Sequence, residues 1–337
     1  VTAPAPTDQL KAETAAETTT RHAVVLAGGL THEREVSLRS GSRIAGALRR
    51  NGIDVTVRDA DAELVPWLLA HRPDAAVIAL HGGRGENGAV QAVLEMAGVP
   101  HVGTASHDCR LAWDKATAKN LLRRQGFTTP EWLTLSHSTF RDLGAAGIID
   151  LLVASLGLPL MLKPYQGGSA LGANVVREPD ELPAALVSSF AYGDVLLVER
   201  FVTGTEIALS VIDDPAGNPV ALPAVEISFP ADVFDYEARY TAGVTTYYAP
   251  ARLDPEVAAA AGELAVAAHR TLGLRDVSRT DAIIDADGTV QFLEVNVSPG
   301  LTETSLLPMA VEAAGDDLGA VYSRLLDDAA ARGPLLR

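Results

Sequence analysis

Cysteine, lysine and long apolar runs are all scarce in this sequence, and each scarcity excludes something. One cysteine among 337 residues, Cys109, excludes an internal disulfide and suits a reducing compartment. Of 27 basic residues only Lys11, Lys115, Lys119 and Lys163 are lysine. In a chain that otherwise uses arginine, a lysine marks either a place for a compact ammonium or solvated surface by chance. Lys163 stands apart because its neighbours are apolar. The net charge of -16 argues against the basic stripes that a nucleic acid or an anionic membrane requires. No apolar run reaches the ~18 residues that span a bilayer, and the start lacks a signal-peptide h-region, so the chain is expected to be soluble and cytoplasmic. Two nucleotide fingerprints are missing as well: G-x-x-x-x-G-K-[ST] occurs nowhere, and no G-x-G-x-x-G follows the first apolar run.

What is present is a globular composition, 47% hydrophobic and 21% charged, at a length that suggests two or three domains. Residues 1–20 are Ala/Thr/Pro-rich without hydrophobic periodicity and are expected to be a disordered tail. From His22 onward, short apolar strands alternate with amphipathic helices, as in "HAVVLAGG", "EVSLRSGSRIAGALRRNG" and "DAAVIALHGGRGENG". That alternation predicts a parallel, doubly wound α/β sheet with ligands at the carboxyl ends of its strands, where both glycine loops fall. After residue 109 the pattern changes to further strands, an Ala-rich helix near 255–272, and the paired strands "RTDAIIDADG" and "TVQFLEVNV". The Asp-Ala-Asp-Gly link predicts a hairpin.

That hairpin assembles a polar face. Glu294 and Asn296 are two residues apart and point together, and Asp281 on the neighbouring strand can join them. Three oxygen donors on rigid strands are what Mg2+ takes alongside a nucleotide; a solvated strand face is the alternative, disfavoured by Phe292, Leu293, Val295 and Val297 around the pair. Arg279 lies on the same face as Asp281, where a guanidinium would neutralise developing charge. The "SPGLTETS" loop adds the Gly300 N–H and hydroxyls of Ser298, Thr302 and Ser305, an anion cradle entering a helix. In "MLKPYQGGSALG", Lys163 ends an apolar strand ahead of a flexible glycine loop, a phosphate-holding arrangement.

The ordered motifs "LAGGLTHEREVSLRSG", "HGGRGENG", "LKPYQGGSALG", "FDYEARY" and "RTDAIIDADG…FLEVNVSPGLTETSLLPM" resemble the D-alanine:D-alanine ligase family of the ATP-grasp superfamily, over about residues 22–315. The resemblance implies an α/β ATP-grasp fold of three domains: 21–104 as the N-terminal α/β substrate domain, 105–198 as the central subdomain and 199–337 as the C-terminal subdomain. It implies ATP held by Lys115 and Lys163 at the phosphates, by Glu199, Phe201, Val202 and Glu206 at the adenine and ribose, and two Mg2+ ions, or Mn2+, on Asp281, Glu294 and Asn296. Glu33 would anchor the first substrate's ammonium, within a network shared with Ser169 and Tyr240, with His81 either a further substrate contact or a structural residue. Arg279 and Gly300 would stabilise the oxyanion, and Ser305 with Leu306 would take the second substrate's carboxylate.

The chemistry so implied joins two D-alanines through an acyl phosphate, for peptidoglycan precursors, in a homodimer. Tyr240, where D-lactate-accepting members carry histidine nearby, implies an amine-bearing second substrate. Arg239 in place of the usual lysine, Glu303 with Thr304, and "KPYQGG" depart from the family pattern around the lid and bear on substrate identity. The competing readings are an ATP-grasp ligase making another D-amino-acid dipeptide, and a nucleotide sensor without turnover.

Overall fold

The first strand feeds two cores at once. In the computed structural model, which describes residues 22–229 and 245–334, β1 (His22–Leu26) lies inside a parallel sheet of order β2-β1-β3-β4. Its other strands are β2 (Asp54–Arg58), β3 (Ala75–Ile78) and β4 (His101–Val102). Ala23 and Val25 pack on Ile44 and Leu48 of α1 (Arg34–Arg50). Val24 and Leu26 face the opposite way, onto Leu68 of α2 (Leu64–His71) and Leu94 of α3 (Ala89–Met96). A strand covered on both faces needs the unbroken apolar run found at 23–26. The sheet runs in opposite directions from β1, so the glycine loops after β1 and β3 flank a crevice at the carboxyl ends of those strands.

α4 (Ser106–Trp113) and α5 (Lys115–Arg124) come next, then β5 (Trp132–Ser136), α6 (His137–Leu143) and α7 (Ala145–Leu156). With β6 (Leu160–Pro164), β7 (Asn174–Val176), α8 (Leu182–Phe190) and β8 (Val195–Arg200) they lead into an antiparallel sheet of order β5-β8-β6-β7, with Leu152, Leu156, Leu182 and Leu186 in its core. The last sheet contains β9 (Thr205–Asp213), β10 (Pro219–Ala221), β11 (Val225–Ser228), β12 (Thr246–Tyr248), β13 (Val277–Ile284) and β14 (Val290–Asn296). Its order is β12-β11-β9-β13-β14, with β10 paired to β9. Helix α9 (Pro255–Thr271) packs on it, followed by α10 (Leu306–Ala313) and α11 (Leu318–Arg332).

Two packing relations cut across the boundaries expected at 104/105 and 198/199. Helices α4 and α5 bury Cys109, Ala112, Ala118 and Leu122 with Phe292 and Val295 of β14, so they belong to the core of the last sheet. Helix α11 returns to the first sheet, where Tyr322, Leu325 and Ala329 share a core with Ala23 and Val25. An amphipathic pattern shows that a helix has a buried face without showing which surface covers it. The expected tail, the "FDYEARY" segment and Tyr240 lie outside the described residues.

Candidate active site

The β13–β14 hairpin forms as the turn residues dictate. Asp285 Oδ1 accepts the backbone N–H groups of Asp287 and Thr289 at 3.1 and 2.9 Å, and Gly288 takes the positive φ of 79° that closes the turn. Arg279 then faces Asn296, and Asp281 faces Glu294 across the ladder. Beyond this point the register slips: Ala282 faces Phe292, leaving Leu293 as an extra residue in β14. This β-bulge changes the side-chain pattern. Strict alternation would put Phe292 on the face of Glu294 and Asn296. Instead Phe292 and Val295 both enter the core behind the sheet, and Leu293 joins Glu294 in lining the cleft in front.

That cleft, about 390 Å³, lies between the central and last sheets. Lys115, Lys163, Glu199, Phe201, Val202, Glu206, Asp281 and Glu294 all line it, with Met161, Ile283 and Leu293 adding apolar surface. Glu199 is held by two lysines: Lys163 Nζ stands 2.5 Å from one carboxylate oxygen and Lys119 Nζ 2.7 Å from the other. Burial would raise the Glu199 pKa, but the two ammonium groups outweigh it and hold the carboxyl below its ordinary value. Lys119 has no exposed surface, and burial pushes it down to about 8 against the pull of Glu199. Lys163 shifts the other way because the charges of Glu199 and Glu294 overcome its own burial. Lys115 lies 3.2 Å from Glu294 and donates to the Gly167 carbonyl at 2.6 Å.

A second cavity of about 120 Å³ adjoins the first and shares Lys115, Glu294, Gly167 and Gly168 with it. Its walls carry Glu33, His81, Ser169, Arg279, Asn296, Gly300, Ser305 and Leu306, together with Glu86 and Thr304. Ser169, at a φ of 52°, donates its hydroxyl to Glu33 across the glycine loop. A left-handed conformation in a residue with a Cβ costs of order 1 kcal/mol, which this strong acceptor offsets. Arg279 forks onto both oxygens of Asp281 at 2.7 and 2.8 Å. Burial disfavours the guanidinium charge, yet Asp281 and Glu294 raise its pKa above the ordinary value.

The loop after β14 is pinned from the first sheet. Leu301 N–H donates to Ser40 Oγ at 3.2 Å, and that hydroxyl is 2.8 Å from His81 Nε2. His81 Nδ1 is 3.2 Å from the Ser298 carbonyl. One proton assignment satisfies every member: Ser40 donates to Nε2, and Nδ1–H donates to Ser298. Arg43 adds bonds to the carbonyls of Leu301 and Thr302 at 3.0 and 2.5 Å. His81 therefore borders the cavity with both ring nitrogens committed to protein atoms, and it acts on Gly300 through the loop.

Burial lowers the His81 pKa from 6.5 to about 4, against the bond to Ser298. The unfolded chain takes up this proton near 6.5 and the folded chain only near 4, so the stability owed to neutral His81 is complete above 6.5 and falls away towards 4. In His81→Gln, the acid side of a plot of urea midpoint against pH should be shallower than in the parent. Equal slopes would remove His81 from the account of acid loss.

Every residue given a catalytic, substrate, ATP or metal role from the sequence, except Tyr240 outside the described residues, lines one of these two cavities, whereas Glu303 lines neither. Lys119, Glu86, Ser40 and Arg43 were not anticipated. A weak signal existed for two of them: Lys119 is one of four lysines, and Glu86 sits among glycines in "HGGRGENG".

A family model described as "D-ala D-ala ligase C-terminus" matches residues 121–327. A D-alanine--D-alanine ligase of Anaeromyxobacter sp. (strain K) is 39% identical over 313 residues, covering 93% of this chain and 98% of that protein. One of Nitratidesulfovibrio vulgaris (strain DP4) is 40% identical over 305 residues, covering 90% and 96%. Among solved structures, D-alanine--D-alanine ligase of Bacillus anthracis superposes with a TM-score of 0.78 at 30% identity, over 93% of this chain and 98% of that one. Its complex with ATP gives 0.77 at 28% identity, over 94% and 98%. The VanG D-Ala:D-Ser ligase of Enterococcus faecalis gives 0.77 at 27% identity, over 92% and 99%. Similarity that runs through both cavities and nearly the full length of these relatives leaves one conclusion: the chain belongs to the D-alanine--D-alanine ligase family, with the ATP-grasp fold.

Proposed function

We propose that the protein joins two D-alanines to D-alanyl-D-alanine at the expense of ATP, supplying a peptidoglycan precursor. The observation that carries this reading is the junction of the two cavities at Lys115, Glu294, Gly167 and Gly168. The larger cavity suits ATP, with apolar walls for the base and Lys115 and Lys163 for the phosphates. The smaller one suits an amino acid, with Glu33 for an ammonium and Arg279 for a carboxylate.

A first D-alanine held there presents its carboxylate to the γ-phosphate at the junction. The C–O–P bond forms as ADP leaves. The amine of a second D-alanine, its carboxylate on Ser305 and the N-terminus of α10, attacks the acyl carbon, loses a proton and expels phosphate. Arg279 and the Gly300 N–H offset the charge on the tetrahedral oxygen. Asp281, Glu294 and Asn296 are an oxygen donor set suited to Mg2+, and facing carboxylates at 281 and 294 fit a cation between nucleotide and strands. Bound there, Mg2+ would neutralise phosphate charge. A cytoplasmic homodimer goes with this reading; no helix among the described residues is long and apolar enough to cross a membrane.

Mass analysis after incubation with ATP, Mg2+ and D-alanine should show D-alanyl-D-alanine and ADP, and Asn296→Ala should lose most turnover. The second reading, another D-amino acid as nucleophile, draws on the likeness to the D-Ala:D-Ser ligase and on Thr304 in the smaller cavity. ADP release with a panel of D-amino acids but not with D-alanine alone would select it. With D-lactate in competition at neutral pH the dipeptide should dominate; mainly ester would overturn the amine-bearing second substrate.

A further inference from the structure

Glu86 is a buried carboxylate for which the reaction outlined above has no use. It projects from the glycine loop after β3 and accepts the Gly82 N–H on Oε1 at 2.9 Å. Glu33, at the N-terminus of α1, also reaches Gly82, so closely that a side chain on Gly82 would overlap Glu33 Oε2. Both carboxylates also come near Gly168 in the loop after β6. A Cβ on Gly168 would lie 3.7 Å from Glu86 Oε2 and 3.9 and 4.0 Å from the oxygens of Glu33. Glycine at both positions keeps the space between them open to the smaller cavity, which both residues line.

We propose that Glu33 and Glu86 together form a two-carboxylate receptor for the ammonium of the first amino acid, and that loading this receptor drives a proton off Glu86. The inference rests on the reading of the smaller cavity as the amino-acid site and adds to it a second anchor and a proton count. Two carboxylates facing one small space resist being ionised together, and a bound ammonium removes that resistance. Burial first, then the charge of Glu33, pushes Glu86 up to about 7, against the Gly82 N–H, Arg279 and Lys115. Arg279 and Lys115 are occupied, one by Asp281 and the other by Glu294 and Gly167. From the loop after β6, Ser169 adds its hydroxyl to Glu33 and no formal charge.

The sign follows. A cation favours the ionised form of Glu86, so its binding lowers the pKa and releases protons, and affinity rises with pH until Glu86 is ionised in the free protein as well. At pH 7 about half a proton should leave per first D-alanine bound, and more at pH 6. The receptor also sets specificity: an amino acid with a free ammonium fits, whereas a hydroxy acid or an N-acylated amino acid at the first position leaves two carboxylates facing each other.

Calorimetric titration of D-alanine into the full chain, saturated with a non-hydrolysable ATP analogue and Mg2+, in two buffers of different ionisation enthalpy, counts these protons. The parent should release about half a proton at pH 7. Glu86→Gln, whose amide oxygen can still accept the Gly82 N–H, should release almost none, with KM for the first D-alanine raised ~10-fold or more and KM for ATP unchanged. Equal proton release in the two proteins, or equal weakening of ATP and D-alanine, overturns the receptor. Turnover distinguishes the two levels: dipeptide formation without a Glu86-dependent proton sinks this inference alone. Glu86-dependent release without dipeptide supports the receptor and sinks the product assignment.

Discussion

Arg279→Ala is expected to lower kcat by ~10²- to 10³-fold, the usual loss when one donor to a developing oxyanion is removed. It is also expected to destabilise the fold by ~3–5 kcal/mol, because Asp281 would remain as a buried carboxylate stripped of both its bonds. Arg279→Lys separates the two effects. An ammonium restores charge beside Asp281 at a single point, without the planar fork, so stability should recover more than kcat. Steady-state rates with ATP and D-alanine, set beside urea midpoints, read both quantities. A kcat close to the parent's in a destabilised Arg279→Ala would assign the guanidinium to holding Asp281 and nothing more.

Glu199→Ala should cost a similar ~3–5 kcal/mol, for the opposite reason: it leaves two cations without the anion between them. Lys119 suffers most, being wholly buried, and its proton should be lost at still lower pH than about 8. KM for ATP should rise as well, since Lys163 keeps its place through Glu199. Lys119→Met removes the most desolvated charge and leaves Glu199 paired with Lys163, so it should cost less. A double-mutant cycle on Lys119 and Glu199 should return a coupling above ~1 kcal/mol. The unfolded chain binds the Lys119 proton up to about 10.5 and the folded chain only to about 8, so this residue makes stability rise with pH across that interval. Lys119→Met should flatten the rise. Additive single mutants with unchanged slopes would remove Lys119 from the support of Glu199.

The hairpin was legible because its information is local: a period of two, an Asp-Ala-Asp-Gly link, and polar residues where burial would otherwise be expected. The bulge at Leu293 was not, since inserting one residue leaves an apolar stretch looking the same in the sequence. Lys115 and Lys119 sit four apart on one helix and read alike; which of them meets the cleft and which is sealed behind Glu199 depends on a strand 80 positions away. Glu86 was hidden for the same reason, as its character comes from Glu33, which another element supplies. His81 could be flagged, but its two partners, Ser40 and Ser298, lie 41 and 217 positions from it, beyond any local pattern.

The return of α11 to the first sheet bears on how the chain can be made. Arg332 reaches the His101 carbonyl across 231 positions, and Leu325 and Ala329 cover the face that Ala23, Val25 and Val77 present. During synthesis that face is left partly uncovered until residues 318–332 have emerged from the ribosome. Order of synthesis and order of folding therefore diverge: the first sheet is translated first and completed last, while the central sheet, closed by nearby segments, is free to settle ahead of it.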